Sequence, residues 1–216
     1  MSRLRSLRNL VRLVPRFRRG EVPAGDVALT KADALLGRID APLASRLRDL
    51  DPLIPTIDLA ALRRLPPGSF GRAYADFLDT NHLEPFVVSP AIDPALLRRN
   101  AHWARYALVH DMFHVLLGYG PDLAGEAGVY AFTLGQRIAR VFWLWLPIAA
   151  LVLPLLAPWQ LPRMLAGARR GWALGRRLDC MLALPLERRF ADDLDAVRRE
   201  LGFTAPPARA AAPAPA

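Results

Sequence analysis

The feature that most constrains the fold of this chain is a pair of histidines, His110 and His114, followed by Glu126 after eleven intervening residues. Residues four apart on an α-helix differ by about 40° around its axis, because each residue turns the helix by about 100°. Asp111 lies about 100° from His110 and about 60° from His114, so all three side chains fall within one arc of roughly 100°. We therefore expect a helix that presents this arc to the element that carries Glu126.

A turn between the two halves of this motif lets Glu126 reach the histidines. Residues 118–121 (Gly-Tyr-Gly-Pro) end a helix, and Asp122 is a suitable N-cap for the next one. His114 and Glu126 each lie about four residues from the turn, or about 6 Å at 1.5 Å per residue. If the two helices are antiparallel, the two side chains face each other at the same level.

Two imidazoles and two carboxylates that converge in this way predict a metal site, with His110, Asp111, His114 and Glu126 as ligands. The set suits a divalent ion, with zinc as the first expectation and iron, manganese or cobalt as alternatives. A zinc metalloprotease is disfavoured, because its motif has a glutamate base at the position of Asp111. The pattern identifies no separate catalytic residue and no site for an organic cofactor.

The chain combines apolar character with a strong positive charge. It has 216 residues, which suit one domain, with 53% hydrophobic residues and a net charge of +9. This combination favours a membrane surface as partner. We expect no nucleic-acid binding, because zinc-finger spacing, ribonucleoprotein signatures and aromatic-interleaved basic strands are missing. The single cysteine, Cys180, excludes an internal disulfide framework and a multi-cysteine metal centre.

Residues 1–20 are a basic amphipathic segment in which no acidic residue occurs. Its apolar residues fall close to helical spacing: Leu4, Leu7, Leu10, Val11, Val14 and Phe17. We interpret the segment as a helix that lies on an anionic membrane surface. A cleaved mitochondrial transit peptide and a solvated basic helix without a partner are the alternatives.

The rest of the chain is helical in pattern, and no period-two strand pattern occurs. Helices are predicted for residues 69–80, for 93–117 with the histidine pair, and for 122–138 with Glu126. We therefore predict an all-α fold with a single helical domain over residues 21–203. The Pro/Ala-rich tail, residues 204–216, is expected to be disordered.

Residues 141–162 contain no charged side chain and are long enough to span a membrane. Four prolines argue against one straight spanning helix: Pro147, Pro154, Pro158 and Pro162. A span would also place the preceding and following helices on opposite sides of the membrane. We predict a proline-broken apolar helix that lines a lipid pocket or dips into one leaflet, with a true span or a plain core helix as alternatives.

Gly167, Gly171 and Gly175 repeat every four residues in the next predicted helix. Glycines at this spacing form a smooth ridge along one side of a helix. The ridge predicts close packing against a neighbouring helix or a ligand chain.

The histidine motif with Glu126 resembles the metal motif of the Coq-four family of ubiquinone (coenzyme Q) biosynthesis. Other blocks are similar to that family in the same order along the chain: residues 68–78, 114–119, the Gly171-x-x-x-Gly175 pattern, 185–187 and 194–202. The resemblance covers about residues 66–202.

The resemblance implies an all-helical protein, often a homodimer, attached peripherally to the membrane where ubiquinone is made. That membrane is the bacterial cytoplasmic membrane, at its cytoplasmic face, or the mitochondrial inner membrane, at its matrix face. It also implies a pocket for a polyprenylated quinone precursor, other ubiquinone biosynthesis enzymes as partners, and a carbon–carbon lyase activity. In that activity, the metal assists (oxidative) decarboxylation at C1 of a polyprenylated hydroxybenzoate-type precursor.

The resemblance leaves a second function open, a non-catalytic lipid-binding scaffold that organises the biosynthetic enzymes. Four protein ligands would fill a tetrahedral zinc ion, which favours a structural metal. A six-coordinate ion would leave two positions open for substrate.

Overall fold

A computed structural model of the chain describes residues 3–37, 39 and 41–203, and its regular secondary structure in these residues is helical. The α-helices are α1 (Arg3–Arg18), α2 (Ala24–Lys31), α3 (Ala41–Leu47), α4 (Leu59–Arg63), α5 (Phe70–Thr80), α6 (Pro94–Arg99), α7 (Ala101–Leu117), α8 (Leu123–Gly135), α9 (Val141–Leu156), α10 (Leu161–Arg177) and α11 (Leu194–Glu200). A π-helical turn (Ala32–Leu36) extends α2, and short 3₁₀ turns occupy Pro158–Gln160, Met181–Ala183 and Leu186–Arg189. The all-α prediction is confirmed. The predicted tail, residues 204–216, lies outside the described residues.

Side-chain caps begin α5 and α6 at the positions that the sequence indicates. The hydroxyl of Ser69 accepts a hydrogen bond from the backbone amide of Arg72 at 3.3 Å, at the start of α5. Asp93 caps α6 in the same way, accepting from the amide of Ala95 at 2.9 Å. These caps satisfy backbone donors that a helix cannot satisfy internally.

The helix predicted for residues 93–117 is two helices, α6 and α7, because Asn100 interrupts it. The Asn100 side-chain amide donates to the carbonyl of Leu96 and to the carboxylate of Asp33, both at 2.9 Å. An asparagine side chain that binds the backbone and a distant partner competes with helix continuation. The histidine motif is unaffected, since it lies wholly within α7.

The core packs around α7, whose side chains Met112, Phe113 and Leu116 are fully buried. Phe70 and Tyr74 of α5 are buried with them, and Phe132 of α8 contacts Phe113 edge to face. The helix that carries the histidine pair is therefore enclosed by apolar side chains on most sides, which fixes its position.

The glycine ridge of α10 packs directly against α8. A methyl group on Gly171 would come within 2.1 Å of the carbonyl oxygen of Gly128, and one on Gly175 within 2.2 Å of the carbonyl oxygen of Phe132. The ridge thus allows two helix backbones to touch, as the spacing predicts. This contact also fixes the position of α8, which carries Glu126.

The apolar helix α9 continues through Pro147 and Pro154 and ends at Leu156. A 3₁₀ turn (Pro158–Gln160) then leads into α10. The interruption therefore falls after residue 156 and not at Pro147. Among the described residues, no helix has both the length and the hydropathy required for a membrane span.

The N-terminal helix α1 is docked on the domain through one buried polar contact. Ser6 is 1% exposed, and its hydroxyl donates to the carboxylate of Asp33 in the π-helical turn. Arg99 of α6 donates to the same carboxylate at 2.6 Å, and holds its pKa well below the ordinary range. The apolar side chains Leu4 and Val11 are nevertheless 60% and 68% exposed.

Candidate metal centre

A hairpin of α7 and α8 brings three of the four predicted ligands together. His110 and His114 lie one turn apart on α7, and Glu126 lies in the first turn of α8. Gly118 ends α7 in the left-handed conformation, with φ of 74°, which glycine adopts without strain. Asp122 caps α8, accepting a hydrogen bond at 3.0 Å from an amide of its first turn. The turn predicted from the sequence therefore places the two halves of the motif face to face.

The carboxylate of Glu126 lies opposite both imidazoles. Its Oε1 is 3.4 Å from Nε2 of His114, and its Oε2 is 3.8 Å from Nε2 of His110. The centroids of the two imidazole rings are 5.0 Å apart. Each of the three residues offers one ligand atom within 4.8 Å of the others. We call these three residues the His–Glu cluster.

The hydrogen bonding of His114 fits a cation at this cluster. Its ring is only 1% exposed, and Nδ1 lies 3.1 Å from the carbonyl oxygen of Gly120. A carbonyl oxygen only accepts, so Nδ1 carries the proton and Nε2 of the neutral ring carries a lone pair. This buried Nε2 has no hydrogen-bond partner among the described residues, and it faces the Glu126 carboxylate. Two electron-rich atoms in this arrangement are stabilised by a proton or a metal ion between them.

The electrostatics of the cluster also favour a bound cation. Burial raises the pKa of Glu126, but the neighbouring imidazoles of His114 and His110 outweigh burial and leave the pKa below its ordinary value. Burial lowers the pKa of His110, but the carboxylates of Asp111 and Glu126 outweigh it and leave the pKa raised. The site therefore stabilises positive charge next to the Glu126 carboxylate.

Asp111 lies beside this cluster and does not belong to it. Its Oδ1 is 3.3 Å from Nδ1 of His110, on the opposite ring nitrogen from the one that faces Glu126. A carboxylate on one imidazole nitrogen fixes the ring's orientation and tautomer, and makes the other nitrogen a better metal ligand. The structure thus gives Asp111 an orienting position, and its direct binding to a metal stays a prediction.

Aromatic side chains cover both imidazoles. Phe77 of α5 stacks on His114, with ring centroids 5.5 Å apart, and Tyr106 meets the ring of His110 edge-on at 5.8 Å. Tyr106 in turn contacts Phe142 at the start of α9, at 5.6 Å. Tyr106 lies one helical turn before His110 and shares its face, so the helical spacing could have identified it, although it is not part of the metal motif.

A cavity of about 560 Å³ borders His114 and the turn between α7 and α8. Helices α5 and α11 form its other walls, with Asp76, Thr80, Asn81 and Arg198 as polar lining residues. Arg198 is held there by the α7 carbonyls of Val115 and Leu116, at 2.7 and 3.2 Å. The volume lies in the range of sites that bind small organic molecules.

Tyr119, His102 and His82, which the sequence also offered as candidates, lie outside the His–Glu cluster. The hydroxyl of Tyr119 donates to the carbonyl of Gly167 at 3.1 Å, which braces the α7–α8 turn against α10. His102 lies on α7 two turns before His110, and burial lowers its pKa. His82 lies in the loop after α5. Neither histidine joins the cluster.

Comparison with known proteins gives one consistent family. A family model described as "Coenzyme Q (ubiquinone) biosynthesis protein Coq4" matches residues 52–207, a range that contains all four predicted ligands. Two relatives named as mitochondrial ubiquinone biosynthesis protein COQ4 homologues, from Bos taurus and Homo sapiens, are each 38% identical to this chain, over 160 and 161 residues. These matches cover 72% and 70% of the chain, but only 58% and 57% of the relatives' own length.

A crystal structure shows the same fold. The protein, a candidate ubiquinone biosynthesis protein from Nostoc punctiforme PCC 73102, superposes with a TM-score of 0.60 at 19% sequence identity. The match covers 93% of this chain and 97% of the other. At this identity the likeness concerns the fold alone.

Proposed function

Because this chain belongs to the Coq4 family of coenzyme Q (ubiquinone) biosynthesis proteins, we propose that its His–Glu cluster binds a divalent metal ion and removes the C1 carboxylate of a polyprenylated hydroxybenzoate-type precursor. The observation that carries the proposal is the buried Nε2 of His114, which faces the carboxylate of Glu126 without a hydrogen-bond donor between them. Zinc is the first candidate, and iron, manganese and cobalt fit the same ligands.

The three residues of the cluster would hold the cation, and Asp111 beside it would orient one of them. His110, His114 and Glu126 would bind it, while Asp111 orients the ring of His110. When bound, a divalent metal supplies a Lewis acid that polarises a substrate carboxylate or phenolic oxygen and stabilises developing negative charge. Phe77, which stacks on the ring of His114, would exclude water from that side of the cluster. Glu126 is partly exposed and leaves the other side open for substrate.

Two reactions at C1 of the precursor would remove its carboxylate. Cleavage of the bond between C1 and the carboxylate releases carbon dioxide and leaves the electron pair on C1, which then takes a proton. Replacement of the carboxylate by a hydroxyl group instead removes two further electrons from C1, which pass to molecular oxygen or another two-electron oxidant as co-reactant. The hydroxyl oxygen then comes from that molecular oxygen or from water. The cluster would serve both reactions, since both develop negative charge on the ring.

The scaffold function is the second candidate. The number of protein ligands on the metal distinguishes it from the catalytic function. A purely structural zinc site is closed by four protein ligands, whereas a catalytic one has three and keeps a position open. The cluster has three residues and Asp111 points at the other nitrogen of His110, an arrangement that supports catalysis.

We further propose that the protein works at a membrane surface, because a polyprenylated precursor partitions into lipid.

The test in cells is Glu126→Gln, which keeps the size of the side chain and removes its charge. Cells that lack their own copy and receive this variant should accumulate a prenylated intermediate that still bears its ring carboxylate. Metal binding should weaken as well, because a neutral amide is a poorer ligand for a divalent cation. Glu84→Gln, the same change at an exposed loop position, is the matched control and should restore ubiquinone.

Two outcomes would contradict the catalytic proposal. Normal ubiquinone levels with a variant shown to lack metal would exclude a metal-dependent reaction at this site. Failure accompanied by the joint loss of several biosynthetic enzymes, without the carboxylated intermediate, would instead support the scaffold function.

A further inference from the structure

The most apolar helix of the protein, α9, has little protein around it. Its side chains are exposed along its length: Leu144 is 73% exposed, Ile148 51%, Leu151 65%, Leu155 72% and Leu156 60%. Trp159, in the 3₁₀ turn that follows, is 75% exposed. We call α9 and this turn (Pro158–Gln160) the apolar arm. Contiguous apolar surface of this kind marks a contact with another apolar phase or partner.

The charges around the apolar arm indicate which partner it meets. No aspartate or glutamate occurs in residues 127–178, whereas seven arginines do: Arg137, Arg140, Arg163, Arg169, Arg170, Arg176 and Arg177. One of them, Arg163, pairs with Asp122 outside the segment, at 3.1 Å. An apolar surface that is flanked in sequence by arginines complements the acyl chains and anionic headgroups of a phospholipid leaflet. A second copy of this face would bring like charges together.

The packing of the neighbouring helices determines how the arm can enter a membrane. Helices α8 and α10, on either side of it in sequence, touch backbone to backbone through Gly128 and Gly171. At the base of the arm, Trp143 contacts Trp172 of α10 edge to face, with ring centroids 5.3 Å apart. Both ends of α9 therefore return to the same side of any bilayer, so the arm can enter only one leaflet.

We propose that the apolar arm inserts into one leaflet of an anionic phospholipid membrane, with exposed arginines of α10, Arg163 and Arg169, among the headgroups. The inference rests on the proposed function and deepens it, because it places the metal centre next to the lipid phase. Phe142, at the base of the arm, contacts Tyr106, and Tyr106 contacts His110. A precursor with a polyprenyl tail would thus keep its tail in apolar surroundings while its ring approaches the cluster. Trp143 and Trp159 have the amphipathic rings typical of membrane interfaces.

Vesicle binding tests the arm directly. The full chain is mixed with vesicles of phosphatidylcholine and phosphatidylglycerol at three to one, and bound protein is separated by flotation. The double variant Leu151→Glu, Leu155→Glu should bind about tenfold more weakly or worse, because two apolar side chains no longer enter the leaflet. Val87→Glu makes the same kind of change at an exposed loop position and serves as the matched control, which should bind like the wild type.

Salt and fluorescence separate insertion from attraction between charges. At high salt the wild-type chain should bind more weakly but remain partly bound, since screening does not affect apolar insertion. Lipids brominated on their acyl chains should quench tryptophan fluorescence, and Trp159→Phe should reduce that quenching. Unchanged binding of the α9 double variant, or a loss as large in Val87→Glu, would overturn the proposal. A double variant that only turns a dimer into a monomer would assign the arm to a second copy instead.

The metal centre provides an independent readout. The α9 double variant should keep its metal content, and should act normally on a short-tailed precursor in solution. A protein that binds vesicles through the arm but decarboxylates no precursor would refute the proposed catalytic function while supporting the membrane inference. A variant that loses vesicle binding together with its metal would show general misfolding, and would overturn the assignment of the arm as a separate surface.

Discussion

At the scale of single residues, the turn between α7 and α8 controls the chemistry of a histidine. The carbonyl of Gly120 accepts the Nδ1 proton of His114, which directs the other ring nitrogen, Nε2, at Glu126. The sequence predicted this turn as a device for bringing Glu126 close. The structure adds that its backbone also selects the tautomer that can bind a metal.

His114→Ala should lower the metal stoichiometry of the purified protein while leaving its helical content largely intact. The substitution removes one ligand, but alanine favours the helix in which it lies. Elemental analysis and circular dichroism measure the two quantities. His102→Ala is the matched control, because it deletes a half-buried histidine from the same helix and should leave metal content unchanged. An unaltered metal content in His114→Ala would refute the ligand assignment.

Asp111→Asn separates an orienting residue from a direct ligand. If Asp111 acts by orienting His110, metal affinity should fall by about 10- to 100-fold, which is typical of residues that support a ligand. Competition with a chelator measures the affinity. A loss of metal as complete as in His114→Ala would instead show that the carboxylate binds the ion itself.

At the scale of helices, the contact between α8 and α10 determines where Glu126 sits. Glycines on both sides let the two backbones touch, and Tyr119 adds a hydrogen bond from the α7–α8 turn to Gly167 of α10. The four-residue glycine spacing was readable from the sequence. The helix against which α10 packs could not be identified from the sequence, because the glycines of α8 do not form a regular repeat.

Gly171→Ala should destabilise the fold by about 1 to 3 kcal/mol, because the added methyl group meets backbone that cannot move aside. That methyl group would lie 2.1 Å from the carbonyl oxygen of Gly128. Gly167→Ala is the matched control on the same ridge, where the nearest atom, the carbonyl oxygen of Ala124, is 3.3 Å away. Chemical denaturation compares the two, and equal stability would show that α8 and α10 pack less closely than described.

At the scale of the whole molecule, the sequence predicted the helical class and the hairpin of α7 and α8 better than the boundaries of the helices. Caps and glycines act locally, so Ser69, Asp122 and Gly118 could be placed from the sequence. The break at Asn100 depends on Asp33, which is distant in sequence, and could not be predicted. Pro147 removes one hydrogen bond from α9, but the sequence does not show whether a helix bends or ends there.

The central claim is that a metal bound at the His–Glu cluster removes the precursor's carboxylate. The most direct measurement supplies purified, metal-loaded protein with a prenylated hydroxybenzoate-type precursor that carries a labelled carboxyl group, in air and in detergent. We predict release of labelled carbon dioxide that stops on chelation and returns when a divalent metal is added back. A metal-loaded protein that binds the precursor and leaves its carboxylate in place would contradict the claim.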